Sequence, residues 1–340
     1  MSDSGPSDSE AGVVRIATRA SRLALWQARH VARLLSRSDP GVVVELVEVS
    51  TEGDRDRVAR LDAMGGTGVF TREVQQVVLD GRADLAVHSL KDLPTDSVAG
   101  LVLAGVPERG DTGDAVVVSQ PVEVTESTEP HRSHLTGLEV LSQGARVGTG
   151  SPRRAAQIKH LRDDLLFEGI RGNVETRLRK LDEGEYDAVV LAVAGLVRLE
   201  LSERITAVLD PKRILGAVGG AALGLECRED DRSTAGRLEA ISHRETWLAV
   251  TAERAMLSRL RAGCHAPVGA QTGLAGGRLW LSGVVLDALG TRRVEARLET
   301  DVALGDGSAA FGEFQGAAER LGEAVADELL AAGAAELISG

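Results

Sequence analysis

Two short stretches of this chain place reactive side chains where a fold must hold them deliberately. The first is Val87-His88-Ser89-Leu90-Lys91-Asp92-Leu93-Pro94, an apolar strand running directly into a loop stiffened by proline. Lys91 can neutralise a bound anion. Asp92 can accept a proton or stabilise a cationic intermediate, and a plain salt bridge between the two neighbours fits the same spacing. His88 reads as a structural residue of the strand end. The second stretch is Arg261-Ala262-Gly263-Cys264-His265-Ala266-Pro267. Gly263 reads as a helix C-cap, which puts Cys264 in the loop beyond it. Polar, cationic neighbours favour thiolate there, whereas the negative end of a helix raises a thiol pKa. That balance suits a sulfur alkylated once better than a turnover nucleophile. Cys227, in Leu225-Glu226-Cys227, reads as a small buried hydrophobe.

Arginines recur where strands give way to helices. Gly148-Thr149-Gly150-Ser151-Pro152-Arg153-Arg154 leaves a strand and starts a helix, with Ser151 as N-cap and Pro152 as first helical residue. Cations in a first turn oppose the helix dipole by roughly 0.3–1 kcal/mol each, a cost that a bound anion offsets. The alternative is two surface arginines reaching into water. Arg171-Gly172-Asn173 ends another strand and opens a helix carrying Arg177. Thr18-Arg19-Ala20-Ser21-Arg22 follows the first strand, and Arg198 follows the strand from Ala188 through Val193. Ligands of open α/β sheets bind beyond the carboxyl ends of the strands. Together these positions predict a cleft for a ligand with several carboxylates or phosphates. The chain has no Walker loop or G-x-G-x-x-G fingerprint, which argues against a nucleotide.

The elements that position these groups follow from periodicity. Strands are predicted over 13–17, 42–49, 84–87, 101–104, 115–118, 146–148, 165–170 and 187–193. Helices are predicted from Ser21, over 71–79, 152–161, 174–181 and 247–260, and as one closing helix over about 309–337. Alternation of this kind predicts mostly parallel sheets covered by helices. A three-stranded antiparallel piece follows the 247–260 helix, with turns at Gly276-Gly277 and Gly290-Thr291. The stretch from Ser119 to Glu139 reads as an exposed loop or hairpin tip. Of 340 residues, 43% are apolar and only 2% aromatic, and the net charge is −12. Those values argue against nucleic-acid and anionic-membrane binding. Only four of the 39 basic residues are lysines, which leaves mostly guanidinium forks suited to carboxylates. Two cysteines form no disulfide framework, and no metal-ligand spacing is present. The acidic start MSDSGPSDSE reads as a disordered tail, and a soluble cytosolic protein is expected.

From Arg15 to about Ile338 the chain resembles the porphobilinogen deaminase (hydroxymethylbilane synthase) family. The resemblance lies in Arg15-Ile16-Ala17-Thr18-Arg19, Leu23-Ala24-Leu25-Trp26-Gln27-Ala28, Arg82-Ala83-Asp84-Leu85-Ala86-Val87-His88-Ser89, Leu191-Ala192-Val193-Ala194-Gly195-Leu196 and Val250-Thr251-Ala252-Glu253-Arg254-Ala255. It implies two doubly wound α/β lobes like type II periplasmic binding proteins, plus a smaller α+β C-terminal domain. Residues 1–12 would be a tail. Residues 13–112 and 222–240 would form the first lobe, 113–221 the second with an insertion at 119–139, and 241–340 the cofactor-attachment domain. The resemblance also implies a dipyrromethane cofactor, one per chain, joined by a thioether to Cys264. Four porphobilinogen molecules would be condensed with loss of ammonia, and water would release hydroxymethylbilane. Asp92 matches the catalytic aspartate. Lys91, Ser89, Ser151, Arg153 and Arg154 match cofactor contacts; Arg19, Ser21, Arg171, Arg177 and Arg198 match substrate contacts. A monomer is implied. A non-catalytic two-lobe binding protein for a polycarboxylate is the competing expectation. The chain departs from the family at Thr67, Arg22, Gly150, Pro152 and Gly220, where lysine, proline, serine, leucine and glutamine are usual.

Overall fold

The computed structural model describes residues 12–49, 71–119, 136–263, 266–302 and 311–339. The first sheet has the order β2-β1-β3-β10-β4, formed by β1 (Val13–Arg19), β2 (Val43–Val49), β3 (Leu85–Ser89), β4 (Leu101–Gly105) and β10 (Leu223–Arg228). The second has the order β7-β6-β8-β5-β9, formed by β5 (Asp114–Val118), β6 (Arg146–Gly148), β7 (Leu166–Glu168), β8 (Ala188–Ala192) and β9 (Ala207–Val208). In each sheet a central strand has parallel partners on both sides, β1 with β2 and β3, β6 with β7 and β8. Each is completed by an antiparallel strand entered from the other lobe: β5 beside β8, and β10 beside β3 and β4. The sheets are therefore mixed, not simply parallel. The reason is the two crossovers, over 106–113 and 216–222. They enter at the carboxyl ends of the parallel strands, so the entering strand must run the opposite way. Asp114 consequently pairs with Ala192 and Leu223 with Ser89, both at the ligand side of their sheets.

Helices α1 (Arg22–Ser38), α2 (Arg72–Leu79), α3 (Pro152–Leu161), α4 (Val174–Asp182), α5 (Val193–Arg198) and α6 (Arg232–Ala240) belong to these lobes. The predicted strand through Val193 ends at Ala192, because Val193 already begins α5. Arg198 therefore stands at the end of a helix, beyond the strand's end. The predicted strand over 165–170 shortens to β7. Ile16, Leu85, Val87, Leu223 and Leu225 make one lobe core against Ala28, Val31 and Leu35 of α1. Cys227 is fully buried in it, and burial pushes its thiol up to about 11.

The C-terminal unit has β11 (Val268–Ala275), β12 (Arg278–Leu286) and β13 (Arg293–Asp301) in antiparallel order, as the turn signals predicted. It packs on α7 (Arg244–Arg259) and α8 (Phe311–Ala331). The single closing helix of the sequence reading is two helices: Gly333, at φ 96°, ends α8 and precedes α9 (Ala334–Ser339). Helix α7 is buried on two sides. Leu248, Ala252 and Met256 face its own domain, while Trp247 and Val250 pack against Leu90, Leu93, Val106 and Ala222 of the first lobe.

The cap of α7 also differs from the expectation. Arg261, not Gly263, takes the left-handed position, with φ 51°. Its amide donates to Ser258 O (2.9 Å) and that of Ala262 to Leu257 O (3.2 Å), the paired bonds of a Schellman ending.

The two crossovers meet a buried polar hub on α7. Glu253, 2% exposed, accepts from Arg109 (2.8 Å) and Thr272 Oγ1 (2.6 Å) through Oε1, and from the Gly219 amide (2.8 Å) through Oε2. Arg109 belongs to the first crossover and Gly219 to the second. One carboxylate therefore ties both connections to the third domain.

Two outcomes follow. Arg261→Gly should raise the unfolding free energy by about 1 kcal/mol, because a β-carbon opposes the left-handed region; the urea midpoint measures it. Glu253→Ala should lower it by about 1–3 kcal/mol, since the part-buried Arg109, the Thr272 hydroxyl and the Gly219 amide would lose their common acceptor.

Candidate functional site

Strand β3 delivers Ser89 to the ligand side, and a single 3-10 turn, Leu90–Asp92, follows. Leu90 and Leu93 are buried, 1% and 5% exposed, and anchor the turn from both sides. Lys91 and Asp92 between them are exposed. The turn is fixed by Leu90 N–H donating to Ala222 O (3.0 Å) and Leu93 N–H to Leu90 O (3.1 Å). Gly219, at φ 66°, lies so close that a β-carbon there would sit 3.2–3.3 Å from Leu90 and the Lys91 amide. Gln27 Nε2 donates to Ser89 Oγ (2.8 Å) from α1. His88 points the other way. It is buried, with Nε2 3.0 Å from Glu226 Oε2, and Gln75 Nε2 donates to the same oxygen (2.8 Å). Its structural reading stands.

The second lobe brings its cations to the same place. Ser151 caps α3, accepting from the Arg154 amide (3.4 Å), and Pro152 opens the helix. The heads of Arg153 and Arg154 do not extend freely into the cleft. Both are buried, 5% and 6% exposed, and both grip Asp114. Arg153 donates to Asp114 Oδ2 (2.8 Å) and Leu215 O (2.6 Å). Arg154 donates to Asp114 Oδ1 (2.7 and 3.0 Å) and Val190 O (2.9 Å). The anion that the sequence expected from a ligand at this helix start is, in the first instance, Asp114. Burial alone would raise the Asp114 pKa; the two guanidiniums outweigh it and hold the carboxyl well below the usual carboxylate range.

Asn173 caps α4 by accepting from the Thr176 amide (2.9 Å), and Arg177 Nε donates to Gly172 O (2.8 Å). Gly172 has φ 108°, and a β-carbon there would lie 2.6 Å from the Thr176 side chain, so only glycine fits this corner. Arg177 is lowered to about 10, chiefly by desolvation and then by Arg154 and Arg171, with Asp92 opposing. Lys91 opens to solvent on one side yet is set deep enough among protein atoms that desolvation lowers its pKa as well. Asp92 and Asp114 oppose that, while Arg154 and Arg177 add to it. The structure thus joins Lys91 and Asp92 of the first lobe to Arg154, Arg171 and Arg177 of the second in one electrostatic neighbourhood.

Arg198 takes a different place. It donates to Ala221 O (2.5 Å), on the second crossover, and its guanidinium lies 5.4 Å from the Trp26 ring centroid. Trp26 in turn stacks on His30 (5.1 Å between centroids). Ser21 caps α1, accepting from the Ala24 amide (3.3 Å), and Arg19 ends β1, half-buried. Arg22 pairs with Glu175 across the lobes (3.1 Å), which gives that departure from the family pattern a contact. Pro152 sits as a normal first helical residue. A β-carbon on Gly150 would stand 3.0 Å from Ile170 O, and one on Gly220 2.8 Å from Ala217 O. Cys264, Thr67 and the Gly65–Gly68 loop lie outside the described residues, as does most of the 119–139 stretch. The Ala266 amide donates to Gly263 O (3.0 Å), pinning the chain on both sides of Cys264.

Sequence reasoning missed Asp114 and Glu253. Both carried a signal. Asp114 begins a strand whose other residues are all apolar, and a carboxylate buried there needs a partner. Glu253 falls at helical spacing between Val250 and Leu257, on the apolar stripe itself.

A polycarboxylate fits this cleft. Arg177 and Lys91 are cations displaced toward neutrality by desolvation and by neighbouring guanidiniums, and a bound anion would oppose both shifts. Among the described residues Asp92 accepts no hydrogen bond, so its carboxylate is available.

Asp114→Asn should lower stability at neutral pH by about 3–5 kcal/mol, as expected for removing one partner of a buried ion pair. The folded-state pKa is depressed, so the carboxylate's contribution is complete above the unfolded value of about 3.9 and is lost as pH falls below it. The variant should lack that segment of the acid-unfolding curve.

Comparison with known proteins bears on the same residues. A family model described as porphobilinogen deaminase, dipyromethane cofactor binding domain, matches residues 14–236. A second, described as the porphobilinogen deaminase C-terminal domain, matches residues 247–331. Solved structures that match part of this chain include the BvgS VFT2 domain of Bordetella pertussis, at 17% identity over 67% of this chain and 86% of that one (TM-score 0.39). A periplasmic sulfonate-binding protein from Methylobacillus flagellatus matches at 14% identity over 74% and 69% (TM-score 0.36). A YaeC-family lipoprotein from Enterococcus faecalis matches at 13% identity over 68% and 91% (TM-score 0.38). Among the described residues no helix is long and apolar enough to cross a membrane. The two family models together span the mixed α/β lobes, the Lys91–Asp92 turn and the three-stranded domain: the chain belongs to the porphobilinogen deaminase family, whose cofactor is dipyrromethane.

Proposed function

We propose that the chain is a hydroxymethylbilane synthase, a monomeric transferase. It condenses four porphobilinogen molecules head to tail with loss of ammonia, on a primer held through Cys264, and then releases the product with water. Residues 13–112 with 222–240, and 113–221, act as the two lobes, and 241–340 carries the tether. The observation that carries this reading is Asp92, an exposed carboxylate without a hydrogen bond among the described residues, set among Lys91, Arg154, Arg171 and Arg177.

The dipyrromethane group, when bound, supplies the pyrrole carbon to which the next unit is joined. Lys91 and Ser89 would hold its carboxylates from the first lobe, and Ser151 and Arg154 from the second. Arg153 joins this set as well; its head and that of Arg154 are equally buried against Asp114, so both act chiefly through the charge they place beneath the helix start. Arg19, Ser21, Arg171, Arg177 and Arg198 would hold the acetate and propionate groups of porphobilinogen. Guanidinium forks suit that task because each can bond a carboxylate through two parallel N–H groups.

Asp92 would accept the pyrrole N–H and offset the positive charge that builds on the ring as ammonia leaves. A carboxylate kept charged stabilises a cation in a partly dry cleft far better than in water.

Intact mass measurement of the purified chain tests the tether: an excess equal to two linked pyrroles is expected, and Cys264→Ser should lack it. An unmodified, folded wild-type chain would point instead to a non-catalytic two-lobe binding protein. Asp92→Ala should keep the fold and the mass excess while turnover falls by about two to four orders of magnitude. Near-normal turnover would remove Asp92 from the chemistry.

A further inference from the structure

Helix α7 makes a second contact with the first lobe, beside the Glu253 hub. Arg254 Nη1 donates to Leu93 O (3.0 Å) and Nη2 to Pro94 O (2.7 Å). These carbonyls belong to the two residues directly after Asp92. The fork therefore fixes the backbone leaving the 3-10 turn, just as the Ala222 carbonyl fixes the backbone entering it through Leu90 N–H. A lysine cannot reproduce this arrangement, because two carbonyls need two diverging donors at fixed separation.

The same helix leads to the tether. It ends at Arg259, and its Schellman cap places Gly263, the residue before Cys264, three residues past Leu260. Arg254 lies in the last two turns of a rigid rod rising about 1.5 Å per residue. Trp247 and Val250, two turns and one turn earlier, pack against Leu90 and Leu93. One face of α7 thus holds the turn by apolar packing and by a guanidinium fork, while its end carries the attachment loop.

We propose that Arg254 is a positioning residue for the reaction. By clamping the carbonyls of Leu93 and Pro94 it sets the Asp92 carboxylate relative to the anchor point carried by the same helix. This rests on the reading of Asp92 given above. Arg254 touches neither substrate nor reacting atoms; its effect passes through the backbone. An error of about 1 Å in a catalytic group can reduce rate on the order of 100-fold, so a loosened turn should be visible in kcat.

The test uses the full-length chain carrying its primer. Arg254→Ala and Arg254→Lys should retain the two-pyrrole mass excess and a KM close to wild type, while kcat falls about 10- to 100-fold. Millimolar guanidinium ion should restore part of the Arg254→Ala rate and leave wild type unaffected. In Asp92→Asn background, Arg254→Ala should add little further loss, because a misplaced carboxylate and an absent one fail at the same point. Wild-type kcat in Arg254→Ala overturns the proposal, as does loss of the primer or a loss fully additive with Asp92→Asn. Normal turnover in Asp92→Asn alone overturns the reading of Asp92 and this proposal with it. A slow Asp92→Asn beside a wild-type Arg254→Ala overturns only the positioning role.

Discussion

Like charges gathered in a partly dry cleft repel one another, and much of this structure answers that repulsion. Arg154, Arg171, Arg177 and Lys91 share a neighbourhood in which burial and mutual repulsion lower the pKa of Lys91 and Arg177. A fold can hold such a cluster only by supplying fixed counter-charge or by leaving the balance to a ligand. Here both occur. Asp114 neutralises Arg153 and Arg154 from beneath, through bonds to both of its oxygens. Among the described residues Arg177 has the Gly172 carbonyl for its Nε and the more distant Asp92 charge. The uncompensated remainder lies where an anionic ligand would enter.

The topology explains why Asp114 is in place to do this. Each lobe closes with an antiparallel strand, so the first residue of β5 stands beside Ala192, the last of β8. A residue that begins an antiparallel strand therefore shares the ligand side with residues that follow parallel ones. Strand order alone brings the carboxylate of the first crossover under the helix starts of the second lobe. In the first lobe the same geometry brings Leu223 beside Ser89, next to the turn that carries Asp92.

The sequence made the parallel strands, their helices and the cationic residues at their ends legible, because apolar periodicity and caps are local signals. Ser21, Ser151 and Asn173 cap the helices that their types predict. Direction was not legible in the same way. A guanidinium at a helix start can face a ligand or a buried carboxylate, and the choice depends on a residue about forty positions away in Arg153 and Arg154. The left-handed cap at Arg261 was hidden for a different reason. Gly263 satisfies the usual preference, yet the hydrogen-bond pairing from Ala262 to Leu257 fixes the reversal two residues earlier. Arg198 was placed by strand logic, but Val193 turns into helix and carries it to Trp26 and Ala221.

Adjacent residues of α7 divide the remaining work. Glu253 bonds the two crossovers that join the lobes, and Arg254 bonds the exit of the Asp92 turn. On the proposed function, a growing polyanion anchored at one point would require the lobes to shift without shifting the carboxylate that serves each new bond. Placing the crossover contact and the turn contact on consecutive residues of one rigid helix meets both demands. The third domain is thus bonded to both crossovers and to the exit of the Asp92 turn through one helix.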